Sequence, residues 1–158
     1  MSSEMAPVAL SRALGQRHAP TKQQAGVIGA PPGPLLVVAG AGAGKTETMA
    51  ARVVWLVANG YARPEEILGL TFTRKAAQEL GKRIRDRLSL LASDDALVRR
   101  LDPSGKLADS LTVIAPTVST YDAYAGDLIR EYGLLVPVEP DARLITDAEL
   151  HAIATDVV

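Results

Sequence analysis

Leu35-Leu36-Val37-Val38-Ala39-Gly40-Ala41-Gly42-Ala43-Gly44-Lys45-Thr46 runs an apolar block into a glycine-alternating turn and ends on a Lys-Thr pair. The apolar block follows the breaker Gly29-Ala30-Pro31-Pro32-Gly33-Pro34. A short continuous apolar run in that position reads as a strand buried on both faces, as in a parallel sheet. Lys45–Ala58 reads as a helix that ends at Asn59-Gly60, a C-terminal cap pair. Met49, Val53, Val54, Leu56 and Val57 make that helix apolar nearly all round, which places it against the sheet.

Strand, glycine turn and helix in that order form a phosphate cradle. Residues 39–46 match the P-loop signature, except that Ala39 stands where the strict pattern has Gly. Alternating Gly lets the backbone curl around a phosphate and aim N–H groups inward. The helix that follows presents its N-terminus to the anion. Lys45 is the side chain to neutralise β- and γ-phosphates, and Thr46 offers a hydroxyl to Mg²⁺. A plain glycine turn would account for the glycines but not for the Lys-Thr ending between a strand and a helix.

Upstream, Met1–Ala19 has no clear period and reads as a loose arm with a single helical turn at most. Thr21 and Gln24 have the spacing of a capping box opening a short helix, Thr21–Ile28. Gln24 also carries an amide that matches the donor–acceptor edge of adenine, and chemistry alone leaves the two roles even. Downstream, Ile67–Phe72 reads as a second buried strand, and Thr73 can cap a helix over Arg74–Leu91. Ser93–Ser110 is a polar connection with at most one helix, broken at Asp102-Pro103-Ser104-Gly105. Leu111–Thr120 is strand-like but interrupted by Pro116, and Tyr121–Tyr132 reads as a helix. Val136–Pro140 is an extended bridge, and a strand-like Arg143-Leu144-Ile145 leads to a helix capped by Thr146 or Asp147. This alternation implies right-handed crossovers and a parallel sheet, so the fold class is α/β.

The chain has 158 residues, 47% hydrophobic, which suits one compact domain with a real core. It has no cysteine, which excludes a disulfide framework and cysteine-ligated metal within this stretch and fits a cytoplasmic location. No apolar run approaches the roughly 18 residues that a membrane span needs, and no signal peptide opens the chain. Net charge is −1, but its distribution is uneven. Residues 74–87 hold six Lys/Arg against two acidic residues, between a neutral front and an acidic back. Binding a phosphate backbone requires such local charge.

Thr71-Phe72-Thr73-Arg74-Lys75 places hydroxyls and cations at a strand-to-helix junction. Cations there oppose the helix dipole, which makes sense when an anion sits at the junction. Arg74 and Lys75 are therefore read as phosphate contacts. Lys82, Arg83, Arg85 and Arg87 are read instead as a solvated helix face, because Glu79 and Asp86 are interleaved. Ser119-Thr120-Tyr121 is a second such junction, where hydroxyls can hold phosphate and Tyr121 or Tyr124 can stack a base. Packing of those rings beneath a loop is an equal alternative.

In combination these segments resemble the N-terminal part of superfamily 1A helicases, the UvrD/Rep/PcrA group. Pro20–Gln24 resembles the Q motif, Ala39–Thr46 motif I, and Thr71–Ala77 motif Ia with Arg74 in place of Asn. Val118–Tyr121 resembles motif Ib, with Tyr121 for Phe and Asp122 for His. Ala30–Pro34 and the Thr-Arg-Lys variant most resemble the AdnB-type subunit of actinobacterial helicase–nucleases. The resemblance implies a RecA-like P-loop domain 1A over 20–133 after an arm at 1–19, with a helical subdomain 1B beginning at 134–158. It implies ATP and Mg²⁺ at Gln24, Gly42, Ala43, Gly44, Lys45, Thr46 and Glu47, with Thr46 on the metal. It implies DNA, single-stranded or duplex, at Thr73, Arg74, Lys75, Thr120 and Tyr121. A helicase–nuclease partner subunit is a further implication, and so is 3′ to 5′ unwinding in repair or recombination. The family's Asp-Glu pair does not occur in this sequence, so the chain is expected to be part of a longer enzyme and nearly inactive as an ATPase alone. The competing readings are a P-loop kinase or signalling NTPase that never touches nucleic acid, which leaves residues 71–75 and 120–121 unexplained, and a non-catalytic scaffold.

Overall fold

The computed structural model describes residues 4–113, 116–135, 145 and 147–156. Helices α1 (Pro7–Ala13), α2 (Lys22–Ile28) and α3 (Lys45–Ala58) precede strand β1 (Leu68–Thr71) and the long helix α4 (Arg74–Ser93). Helices α5 (Asp95–Leu101) and α6 (Lys106–Val113) follow, then β2 (Thr117–Thr120), α7 (Tyr121–Tyr132) and α8 (Asp147–Asp156). The chain divides into two compact units, Met1–Thr120 and Tyr121–Val158.

β1 and β2 pair in parallel, with Leu68 opposite Thr117 and Thr71 opposite Thr120. The fold is therefore mixed α/β with a parallel two-stranded sheet among the described residues, as the alternation of elements predicts. Pro116 lacks an N–H for the ladder, and β2 begins just after it. α4 crosses between the two strands and packs on both. Its buried residues Ala77, Leu80, Gly81, Ile84, Leu88 and Leu91 recur at three- and four-residue steps, one face of a helix. Gly69 and Gly81 leave room for Val118, whose side chain lies against both backbones.

The core of the first unit lies between α3 and α4. Ala50, Val54, Trp55 and Val57 meet Leu80, Ile84 and Leu88, with Leu97 and Leu107 closing one side. Trp55, which the apolar set above omits, is the largest fully buried side chain at 1% exposed. α3 packs chiefly on α4, α2 and α1 instead of lying against the sheet, and Met49 stays exposed.

Four expectations need correcting. Of the strand expected over Leu111–Thr120, Leu111–Val113 ends α6 and only Thr117–Thr120 forms β2. Leu35–Ala39 forms no ladder: Leu36 and Val38 are each 89% exposed. A parallel strand is buried on both faces only when flanking strands and helices cover it, and no described strand lies beside this segment. The N-terminal arm is docked, not loose. Met5, Leu10 and Leu14 are buried, and the Trp55 indole N–H donates to the Met5 carbonyl at 2.7 Å. Ser93–Ser110 holds two helices, because Asp94 accepts from the Leu97 N–H and opens α5 while Asp102 opens α6. The bridge at Val136–Pro140 and the run Arg143–Leu144 lie outside the described residues, and Ile145 belongs to no element. Among the described residues no helix is long and apolar enough to cross a membrane.

Candidate nucleotide and nucleic-acid sites

The glycine turn adopts the backbone that its sequence requires. Gly42 has φ 75° and Gly44, the residue capping α3, has φ 76°. Both lie in the left-handed region that an L side chain strains to enter. A Cβ on Gly44 would also stand 2.9 Å from Gln24 Nε2. The first α3 bond runs from the Thr48 N–H to the Gly44 carbonyl. Helix geometry leaves the N–H groups of Lys45, Thr46 and Glu47 without acceptors inside the helix, so they point out of its N-terminus. Lys45 folds across the turn, and its Nζ donates to the carbonyls of Gly40 at 2.7 Å and Ala39 at 3.1 Å. The Thr46 hydroxyl sits exposed in the same first turn. Together these provide N–H donors, a cation and a hydroxyl around one turn, a set that suits a polyphosphate with Mg²⁺.

Gln24 has both kinds of contact that its chemistry allows. Its Oε1 accepts from the Thr21 N–H at 2.9 Å and its N–H donates to Thr21 Oγ1 at 3.3 Å, completing the capping box. Its Nε2 donates to the Ala43 carbonyl at 3.2 Å, which ties α2 to the glycine turn. A cleft of about 830 Å³ runs beside the turn, lined by Gln24, Val37, Ala39, Ala43, Lys45 and Arg52. A second cavity of about 420 Å³ also borders Gln24, among Arg17, His18, Glu47, Thr48 and Arg87.

Two positioning features are absent from the sequence-based expectations. The Arg52 Nη1 donates to the carbonyls of Val27, Ile28 and Ala30 at 2.9, 3.1 and 2.9 Å, and its Nη2 to Pro31 at 3.3 Å. One guanidinium thus caps the C-terminus of α2 and fixes it to α3. Its only signal in the sequence is a lone Arg inside the apolar stretch of α3. The second is the pairing of Glu47, expected only at the nucleotide, with α4: its carboxylate accepts from Arg83 Nη1 at 2.9 Å and pairs with Arg87. Arg83 and Arg87 are therefore not a purely solvated face. Their four-residue spacing aims both at one point on α3, while Lys82 pairs within α4 with Asp86 at 2.7 Å. Burial lowers the pKa of Arg87 below the ordinary guanidinium value.

At the second junction Thr73 caps α4, its hydroxyl accepting from the Ala76 N–H at 3.2 Å. The Thr71 hydroxyl donates to the Thr73 carbonyl at 3.1 Å. Phe72, Arg74 and Lys75 stand exposed around that helix start, so two cations rim a set of backbone donors. Thr120 is buried at the end of β2, and Tyr121 opens α7 half-exposed. β1 and β2 run in parallel, so their C-terminal ends, Thr71 and Thr120, lie opposite each other in the ladder.

The profile of the UvrD/REP helicase N-terminal domain matches residues 20–158. The chain is 61% identical over 54 residues to DNA helicase IV of Escherichia coli, covering 34% of this chain and 8% of that protein. It is 34% identical over 115 residues to an ATP-dependent helicase/nuclease subunit of Lactobacillus delbrueckii, covering 72% of this chain and 9% of the relative. It is 45% identical over 62 residues to the ATP-dependent DNA helicase PcrA of Bacillus subtilis, covering 39% and 8%. The chain thus spans less than a tenth of the length of these relatives. With a match that covers all but the N-terminal arm, the chain belongs to the UvrD/REP helicase N-terminal domain family.

Proposed function

We propose that this chain is the front part of an ATP-dependent DNA helicase. In this reading it is a RecA-like P-loop domain 1A over residues 20–133, preceded by an arm at 1–19 and entering a helical 1B subdomain at 134–158. Gly42–Glu47 hold the phosphates of ATP, with Glu47 contributing its backbone N–H. Lys45 neutralises the β- and γ-phosphates, Thr46 ligates Mg²⁺, and Gln24 reads the adenine. Thr73, Arg74, Lys75, Thr120 and Tyr121 contact single-stranded DNA. The observation that carries the reading is the pair of left-handed glycines opening onto the N-terminus of α3, with Lys45 lying across it.

The exposed Leu35–Ala39 segment fits this proposal as a strand whose sheet neighbours come from elsewhere in a longer protein. Hydrolysis needs carboxylates to hold Mg²⁺ and orient water, and the sequence has no Asp-Glu pair. We therefore expect this chain alone to bind ATP and hydrolyse almost none. The whole protein would unwind DNA from 3′ to 5′ in the cytoplasm, in repair or recombination. A second protein chain working beside it is a further part of the proposal, supported by the helicase/nuclease relative.

The test is a titration of the chain with a fluorescent ATP analogue and Mg²⁺, alongside binding to oligo(dT) across a salt series. Lys45→Ala should weaken the nucleotide at least about tenfold, roughly 1.4 kcal/mol, while leaving oligo(dT) affinity without nucleotide unchanged. Oligo(dT) affinity should fall steeply with salt, since each phosphate contact releases counterion. Nucleotide binding with no oligo(dT) binding would leave a nucleotide-only protein. Equal nucleotide affinity in Lys45→Ala would remove the cradle altogether.

A further inference from the structure

We propose that Arg83 and Arg87, acting through Glu47, are positioning residues that couple the nucleotide turn to the junction at the start of α4. This rests on the functional reading above. Glu47 lies two residues after Lys45, in the first turn of α3. A carboxylate there is held by the helix dipole, but it also repels any phosphate bound at the same N-terminus. Arg83 and Arg87 offset that repulsion. Arg83 donates to the carboxylate at 2.9 Å. Arg87, with its side chain only 12% exposed, pairs with the same carboxylate and donates from Nη1 to the Glu47 carbonyl at 3.3 Å. Glu47 and Arg83 are 44% and 49% exposed, so salt screens their pair, and Arg87 is the shielded member of the three.

The link reaches the second site because α4 is one continuous helix from Arg74 to Ser93. Arg74 and Lys75 sit at its start, and Arg83 and Arg87 follow on the same rigid rod, roughly 14 and 20 Å along the axis from Arg74 at 1.5 Å per residue. α3 against α4 is the most extensive contact between elements in this unit. An anion drawing on Lys45 and the first turn of α3 changes the field at Glu47, and so the pull on both arginines of α4. By reciprocity, an anion at the start of α4 must change nucleotide affinity by the same factor.

The experiment measures oligo(dT) affinity of the chain with and without a saturating non-hydrolysable ATP analogue and Mg²⁺. The wild type should change affinity by at least about fivefold between the two conditions. Arg83→Gln with Arg87→Gln should bring that ratio close to one, while affinity for oligo(dT) alone stays near wild type. Arg83→Lys keeps the charge pair and should keep the ratio. Glu47→Gln should lose it. A merely structural role would lower thermal stability and leave the ratio intact. The inference is overturned if the double Arg→Gln variant retains the wild-type ratio, or if the wild type binds both ligands independently. Failure of the wild type to bind one of the two ligands would bring down the functional reading and this inference with it.

Discussion

At the scale of single residues, Gly44 shows how a sequence pattern becomes a binding geometry. Its φ of 76° costs a non-glycine residue about 1–2 kcal/mol. A methyl group there would also displace Gln24 from the Ala43 carbonyl. Gly60 has a similar φ of 73° in open space, which makes it the control. Gly44→Ala should lower both stability and ATP-analogue affinity, the latter at least about tenfold if about 1.4 kcal/mol of the strain falls on the bound loop. Gly60→Ala should lower stability alone. Equal affinity losses in the two variants, read by the same titration, would mean that the position of Gln24 does not matter. The alternation of Gly and the Lys-Thr ending are legible in the sequence because they are local. The Arg52 clamp is not, because its acceptors are main-chain carbonyls 21 to 25 residues away.

At the scale of elements, caps decide where helices start. Asp102 receives three hydrogen bonds, from the Ser104 hydroxyl and N–H and from the Leu107 N–H. Those bonds hold its pKa below the usual carboxylate value, the Ser104 hydroxyl being the largest cause. A depressed folded-state pKa contributes stability above the unfolded value, about 3.9. That contribution fades as pH falls through the folded-state value. Amide protection at Ser104 and Leu107, corrected for intrinsic exchange, should therefore hold from about pH 8 to 5 and decline below about pH 4. Asp102→Asn should abolish that pH dependence. Protection in the wild type that is constant down to about pH 3 would show that Asp102 does not anchor α6. Helices with a side-chain cap written into the sequence, α2 at Thr21 and α4 at Thr73, begin where the sequence places them. Leu35–Ala39 departs from its expected form, since an apolar run becomes a strand only beside another strand. α5 is hard to see in sequence because its cap, Asp94, lies in a polar stretch where Asp also suits a turn.

At the scale of the whole molecule, the first unit is held by a core whose two sides come from distant parts of the sequence. Trp55 ties them together. It fills the space between α3 and the N-terminal arm, stacks on Tyr61 with ring centroids 5.3 Å apart, and donates its indole N–H to the Met5 carbonyl. Asn59 holds the same residue, its Oδ1 accepting from the Met5 N–H at 2.7 Å. In sequence the arm looks loose because the seven residues of α1 carry too little periodicity to register. Its anchoring is tertiary, and only the fold displays it. Trp55→Ala should remove both the packing and the shorter of the two donors to the Met5 carbonyl, a loss of about 3–5 kcal/mol. Domains of this kind have only about 5–15 kcal/mol in total, so the urea midpoint should fall sharply. Trp55→Phe keeps most of the ring volume and forfeits the N–H, while Asn59 Nδ2 still donates to the Met5 carbonyl at 3.4 Å, so it should lose about 0.5–1.5 kcal/mol, the net worth of one hydrogen bond. In both variants residues 4–14 should become protease-sensitive before the rest of the unit, because the Met5 contact is what they share. An arm still protected in Trp55→Ala would show that Leu10 and Leu14 dock it without help from the indole.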